Sequence, residues 1–350
     1  MASPSLPQIN EAVYEFYRNR PVIITGASGF LGQKVVQTLD ALKADVYKVS
    51  SKDVDLRKEV ETERYFWEEF VAQEDIDPSQ IVLFHFAANV SGIHDTAATP
   101  LAHLQDNLLM AINVMKNVQL VGIRNVVFAG SVCAYPERAP CPMVEANLWE
   151  GKPEPTNFSY GESKRVSMAL LDAYYQQRII DNYSILISAN LYGPGDHFDS
   201  AVSHVIPALI MKIDDAITMD HDYIEIWGSG RASRDFLYVE DAAKAYVLAG
   251  YHTCQKREPI VVNIGSGQEV TIAALAKQLS SIMSFRGGEM YDTTKPDGQK
   301  RRLVSIYQAI SELGWRPSTE LEQGLRRTIL WYNQYVKPIR DRERRYPFCA

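Results

Sequence analysis

Short apolar runs alternate along this chain with longer stretches in which apolar residues return every three or four positions. The first run is PVIIT at 21–25, β-branched and apolar, and it predicts a buried strand. The turn GASGFLG follows, and QKVVQTLDAL then places apolar residues at helical spacing. The alternation repeats: DVYKVS at 45–50, IVLFHF at 81–86, NVVFAG at 125–130 and YSILISA at 183–189 predict strands. Helices are predicted over 58–72, about 100–120 and 158–178. Strands this apolar, separated by helices, imply a parallel sheet covered on both faces.

After residue 190 the texture changes. Tyr192-Gly193-Pro194-Gly195 predicts a loop, SHVIPALIMKI a helix, and YIEIWGSG a strand and turn. Amphipathic helices are predicted at 271–283 and near 322–336. The expected fold class is α/β, a Rossmann-like doubly wound parallel sheet with a smaller C-terminal α/β substrate-binding domain. In this division residues 1–20 are an N-terminal extension and 21–190 the Rossmann domain. Residues 191–336 mainly bind substrate, with the chain crossing back once at about 232–265, and 337–350 are a basic tail. The tail segment IRDRERRY is read as solvated.

Composition narrows the picture. The 350 residues, 46% hydrophobic, are ample for a packed core, and the net charge of −7 gives no electrostatic case for nucleic acid or an anionic membrane. No apolar run approaches the roughly 20 residues of a membrane span. The N-terminus lacks the basic start and apolar segment of a signal peptide. Four cysteines, Cys133, Cys141, Cys254 and Cys349, form neither a disulfide framework nor a metal-ligand spacing. A reduced, cytoplasmic compartment is expected.

The chemistry begins at GASGFLG. Gly26 permits a tight turn, Gly29 lets the backbone approach a pyrophosphate, and Gly32 packs helix against strand. The helix N-terminus presents free N–H groups to the anion. At the end of the second strand stand Ser50, Ser51 and Lys52 rather than a lone acid; hydroxyls and an ammonium suit a 2′-phosphate and favour NADP (NADPH), although Asp53 lies nearby. Asp55 and Leu56 are placed to frame the adenine. A surface reading of Lys52 stands beside the phosphate one.

Tyr160 and Lys164 lie at i and i+4, on one face of the long predicted helix. A lysine cation beside a tyrosine lowers the phenol's pKa, so the phenol can exchange a proton with a substrate oxygen. Ser131, at a strand end 29 residues upstream, can hydrogen-bond the same carbonyl; in isolation it is equally a turn serine bonding its own backbone.

The glycine turn, Ser131 and the Tyr160/Lys164 pair resemble the extended short-chain dehydrogenase/reductase superfamily over roughly residues 20–336. Within it, GSVCAYP, PEPTNFSYGESK, NLYGPGDHF, SHVIPALI, IEIWGSGRASRDFLYVEDAA and KPDGQKRRL are similar to the GDP-L-fucose synthase family, the GDP-4-keto-6-deoxymannose 3,5-epimerase/4-reductases. The resemblance implies an NADPH-dependent enzyme that inverts both carbons flanking a ketone and then reduces the ketone in one site. It implies catalytic roles for Ser131, Cys133, Tyr160, Lys164 and His204, with Cys133 and His204 as the acid–base pair in either order. It implies cofactor contacts at Gly26, Ser28, Gly29, Phe30, Leu31, Gly32, Ser51, Lys52, Asp55, Leu56, Ala87, Lys164, Asn190 and Leu191. Asn190, Lys212, Trp227, Arg234 and Asp297 are the expected substrate contacts, with no metal, and Arg301 or Arg302 could bind a diphosphate. The expected partners are a nucleotide sugar and a second copy of the chain in a homodimer.

Plainer readings stand beside these. A free cysteine is ordinarily a small core residue, a histidine opening a helix a cap, Trp227 a core aromatic and Arg231 a solvated neighbour. Cys141, Cys254 and Cys349 are read as structural. The chain also departs from the family pattern: Val132 replaces a second serine, Ser91 replaces a glycine in VSGI, and GPGDHF differs from the usual histidine-then-asparagine form. These changes leave open a pure 4-ketoreductase and a relative acting on a GDP-heptose or a dTDP-hexose. A non-enzymatic dinucleotide sensor is the reading from a different class.

Overall fold

The computed structural model describes residues 9–72, 76–90, 93–199, 203–256 and 258–345. Ser91 and Cys349 lie outside the described residues.

The first half of the chain alternates as its hydrophobic pattern predicts: α1 (Glu11–Tyr17), β1 (Pro21–Thr25), α2 (Phe30–Ala41), β2 (Asp45–Val49), α3 (Glu59–Phe66), β3 (Val82–His85), α4 (Ile93–Ala98), α5 (Pro100–Val121), β4 (Asn125–Ser131), α6 (Phe158–Gln176) and β5 (Asn182–Ser188). Then come β6 (Asn190–Tyr192), α7 (Val205–Thr218), β7 (Tyr223–Trp227), β8 (Ser233–Arg234), β9 (Phe236–Tyr238), α8 (Val239–Gln255) and β10 (Ile260–Ile264). The chain closes with β11 (Val270–Thr271), α9 (Ile272–Ile282), β12 (Gly288–Asp292), β13 (Arg301–Arg302), α10 (Tyr307–Leu313), α11 (Leu321–Tyr335) and α12 (Lys337–Arg345).

Six strands form one parallel sheet in the order β10-β5-β4-β3-β1-β2. Strand side chains alternate between faces, and here both faces are dry. Ile23, Leu83, Val126, Phe128 and Ile185 enter one core with Val114 and Val118 of α5 and Met168 and Leu171 of α6. Val22, Ile24, Phe84, Val127 and Leu186 enter the other with Val35 and Leu39 of α2 and the alanines of α8. A third core, in the smaller lobe, gathers Ile210 and Ile213 of α7, Leu275 and Leu279 of α9, and Leu325 of α11.

Three features differ from the pattern reading. The predicted helix at 58–72 is α3 followed by a π-helical turn over Trp67–Val71. The described part of the N-terminal extension is integrated with the sheet: Tyr17 is fully buried and its hydroxyl donates to Val247 O at 2.7 Å. The basic tail, as far as it is described, is docked along one side, while Pro338, Ile339, Arg342 and Glu343 stay exposed. Lys337 and Arg344 of α12 reach the buried Asp214 of α7, while Arg340 pairs with Asp215 at 3.0 Å. Arginines spaced along one side of a helix read as a solvated face until partner acids sit opposite them, and those acids lie 125 residues away in sequence.

Candidate active site

The glycine turn is fixed by close approach. Gly26 has φ +71°, and a Cβ there would lie 2.6 Å from Ala87 N; a Cβ on Gly32 would lie 2.1 Å from Gly26 O. Gly29 caps α2 with extended backbone and no side-chain bond, so the first-turn N–H groups stay open to an anion. Ser28, Phe30, Leu31 and Ala87 complete this wall of a cavity of about 1290 Å³. A single small molecule usually occupies about 300–1,000 Å³. This space has room for a dinucleotide and a second ligand.

At the end of β2 the acids are already occupied. Asp53 accepts from the backbone N–H and hydroxyl of Ser50 at 2.8 and 2.6 Å. Asp55 takes a two-pronged bond from Arg57, both arms at 2.9 Å, which holds its carboxyl below the usual range. Ser51, Asp55, Leu56 and Arg57 line the cavity, whereas Lys52 is exposed and does not. Arg57 is therefore the cation that lines the cavity at this end. The sequence signal for it was present, five residues further on in DLRKE, but its pairing with Asp55 needs the turn geometry to be seen.

Ser131 ends β4 and accepts from the Cys133 backbone N–H at 3.2 Å. α6 presses against this turn at Gly161, where an added Cβ would meet Cys133 O at 2.4 Å. That approach brings the Tyr160 phenol beside the Ser131 hydroxyl, near enough to affect its titration. Burial dominates the phenol and drives its pKa up; the nearby Cys133 adds to this, and the Ser131 hydroxyl opposes it. Lys164 is also governed by burial, which pushes it down to about 8. Its Nζ donates to Ala129 O at 2.9 Å and sits 5.6 Å from the centre of the Tyr160 ring. The expectation that Lys164 lowers the Tyr160 pKa does not hold in this geometry, because the loss of water outweighs a cation that a carbonyl already engages.

His204 is the N-cap of α7 and lines the same cavity as Ser131, Cys133, Tyr160 and Lys164. Its Nδ1 lies 3.5 Å from Oδ1 of Asp196, whose side chain is wholly buried. That contact is an ion pair rather than an aligned hydrogen bond. Burial alone would push the imidazole pKa down; the Asp196 carboxylate more than offsets this and holds it above the usual value. The ring keeps 39% of its side-chain surface exposed, so it is enclosed by protein yet open to a bound molecule. Asp196 was passed over in the sequence, where GPGDHF stood out only as a departure from the family pattern.

The remaining predicted residues divide. Asn190 and Leu191 line the cavity from β6, and the buried Oδ1 of Asn190 has no protein partner among the described residues. Lys212 donates to Glu225 O at 2.9 Å and lies 4.8 Å from the Trp227 ring centre; Lys295 approaches that ring at 5.3 Å. Trp227 is 47% exposed, which removes the core-aromatic reading. Arg234 lines the cavity, but its guanidinium donates to the carbonyls of Ser233, Gln299 and Asp297. The Asp297 carboxylate accepts from the Ser229 N–H and hydroxyl at 2.6 and 2.7 Å, fixing the loop after β7. Arg301 faces away and pairs with Glu269 at 2.7 Å. Arg302 is buried, and its Nη1 donates to Cys133 Sγ at 3.5 Å. Neither a grouping of ligating side chains that would hold a metal nor a helix long and apolar enough to cross a membrane occurs among the described residues.

The parallel sheet, the glycine turn on α2 and a serine–tyrosine–lysine group in one cleft define a dinucleotide-dependent enzyme of the Rossmann type. The chain belongs to the NAD dependent epimerase/dehydratase family, whose model matches residues 22–265. A curated relative, GDP-L-fucose synthase of Sinorhizobium fredii, is 35% identical over 91% of this chain and 96% of its own length. A solved GDP-6-OMe-4-keto-L-xylo-heptose reductase from C. jejuni is 25% identical with TM-score 0.79, covering 90% of this chain and 98% of that one. A GDP-L-fucose synthetase from Naegleria fowleri is 25% identical with TM-score 0.76, covering 91% and 94%.

Proposed function

We propose that this chain is an NADPH-dependent epimerase/reductase that converts a GDP-linked 4-keto-6-deoxy sugar to its epimerised 4-hydroxy product. The observation that carries the reading is the meeting of Cys133, Tyr160 and His204 in the cavity that also contains the glycine turn.

The residues present fit the cofactor. The Gly26–Gly32 turn and the open N-terminus of α2 suit a pyrophosphate, and Ser51 with Arg57 suits a 2′-phosphate. Asn190 offers an unpaired amide oxygen to whatever binds there. NADPH, when bound, supplies the hydride for ketone reduction. A proton on a carbon beside a ketone is acidic because its charge spreads onto oxygen. Cys133 takes that proton as a thiolate, and His204 returns one to the opposite face. Tyr160, with Ser131, hydrogen-bonds the ketone oxygen; this stabilises the enolate in epimerisation, and the phenol protonates the alkoxide in reduction. Asp196 keeps His204 in its charged, proton-giving form. Trp227, Lys212 and Lys295 form the wall and the cationic rim for the sugar nucleotide.

The test is turnover on a panel of purified GDP- and dTDP-4-keto sugars. NADPH oxidation with GDP-4-keto-6-deoxymannose, and deuterium uptake from D₂O into that sugar before NADPH is added, are expected. Reduction without deuterium uptake would leave a pure ketoreductase, and no NADPH consumption with any sugar would leave a dinucleotide sensor. The C. jejuni neighbour makes a GDP-heptose the second sugar to try.

The enzyme is read as a homodimer pairing through α5 and α6. Ile112, Leu120, Phe158 and Val166 leave apolar surface exposed on these two helices. Sedimentation should give a dimer that Val166→Glu weakens; a monomeric wild type would end this part of the reading.

A further inference from the structure

Two cations stand side by side at the Cys133 end of the cavity, and they do different work. β13 pairs with β8 in parallel register, Arg302 opposite Arg234, so the two guanidinium groups lie close enough to depress Arg234 to about 10, chiefly through burial and then through Arg302. Arg234 is spent on three backbone carbonyls. Arg302 instead donates from Nη1 to the sulfur of Cys133 and from Nε to Gln299 Oε1 at 2.9 Å. Gln299 in turn donates to the carbonyls of Pro136 and Glu137 at 3.3 and 3.0 Å, just beyond the turn that carries Cys133. Further along, Met143 N donates to Leu303 O at 2.7 Å and Ser305 N to Met143 O at 2.8 Å. The strand end bearing Arg302 is thus clamped at two points to the segment that follows the thiol.

We infer that Arg302 is a positioning residue: its Nη1 fixes the direction of the Cys133 sulfur and offers a charged hydrogen-bond donor to that sulfur when it acts as a base. The groups that face this sulfur electrostatically are Tyr160 and Lys164 from α6, Arg234 from β8 and Arg302 from β13. Three of the four are cations. Lys164 and Arg234 have carbonyl partners, and Arg302 is the one that hydrogen-bonds the sulfur. An anionic sulfur in a water-poor pocket needs such a donor, since burial by itself favours the neutral thiol. A planar guanidinium held at one edge by Gln299 also restricts where the sulfur can point.

The inference deepens the proposed epimerase reading, but its test needs no sugar. Iodoacetamide alkylation is followed at the Cys133 peptide by mass spectrometry from pH 6 to 9, with Cys141 and Cys254 in the same digest as references. Arg302→Met is expected to slow Cys133 alkylation at pH 7 about tenfold or more and to displace its rate–pH curve to higher pH, with the high-pH plateau retained. Arg302→Lys, which keeps the charge, should recover most of the neutral rate. A curve for Arg302→Met superimposed on wild type would overturn the inference, as would an Arg302→Lys as slow as Arg302→Met. Faster Cys254 alkylation would report loss of the fold in Arg302→Met. The decision then passes to Gln299→Leu, which leaves the arginine but frees its anchor: slower Cys133 alkylation supports the inference, and an unchanged rate overturns it. Normal deuterium exchange in a variant with altered sulfur reactivity would instead count against the epimerase reading.

Discussion

A phenol, a thiol and an imidazole line one cavity, and the proposed role of each can be tested singly. Tyr160→Phe keeps the ring and removes the proton; NADPH oxidation should fall by about 10²–10⁴, measured at 340 nm with saturating sugar, while NADPH affinity stays within a few-fold. Cys133→Ser should abolish deuterium exchange and leave cofactor binding intact. Asp196→Asn addresses the imidazole. The folded pKa of His204 is raised, so its protonated form is favoured and activity that needs the charged ring is lost as pH rises through that pKa. Without the carboxylate the burial effect takes over and the fall should move to lower pH. A pH profile of exchange that does not move would remove Asp196 from the mechanism. The Asp196–His204 contribution to stability has the same sign: present below the unfolded histidine value of about 6.5 and lost above the folded one.

At the scale of elements, the strand–turn–helix beginning at Pro21 was legible because a continuous apolar run gives way to helical spacing across a turn of three glycines. Gly32→Ala is the sharpest probe of that turn: with Gly26 O only 2.1 Å from the added Cβ, α2 must shift, and NADPH affinity should drop at least tenfold by titration calorimetry. Tyr160 and Lys164 were equally legible, being one helical turn apart. What could not be read were pairings between distant segments. Asp196 meets His204 across a loop, Gln299 and Arg302 return to the Cys133 turn from more than 160 residues downstream, and the acids that receive α12 sit on α7. Neither spacing nor composition encodes such meetings; the topology creates them. The α12 clamp has its own test. Burial would raise the Asp214 carboxyl, but Lys337, Tyr332 and Arg344 more than offset this and keep it below the usual range. Asp214→Ala removes the acceptor of Lys337, Arg344 and the Tyr332 hydroxyl and should cost about 1–2 kcal/mol in urea unfolding at pH 7. The clamp's contribution is present above the unfolded aspartate value of about 3.9 and fades as pH falls through the folded one.

For the whole molecule, the large cavity draws its walls from both lobes: the glycine turn and α6 from the sheet side, α7 and Trp227 from the other. Ligands that fill such a space add their binding free energy to folding. NADPH at one hundred times its Kd should stabilise the chain by about 2.7 kcal/mol, read as a concentration-dependent rise in the thermal midpoint. A midpoint indifferent to NADPH would mean that the dinucleotide does not bind the folded chain.

The edge strand β10 carries a consequence for how this protein is made. It joins β5 from residues 260–264, long after the other five strands have left the ribosome. Until it arrives, an edge with Ile185, Leu186 and Ile187 at its centre lies open to any passing chain. Synthesis must therefore run through most of the smaller lobe before the larger one can seal itself. A fragment ending near residue 190 would be born with that sticky border and should accumulate in the insoluble fraction, while the full chain does not.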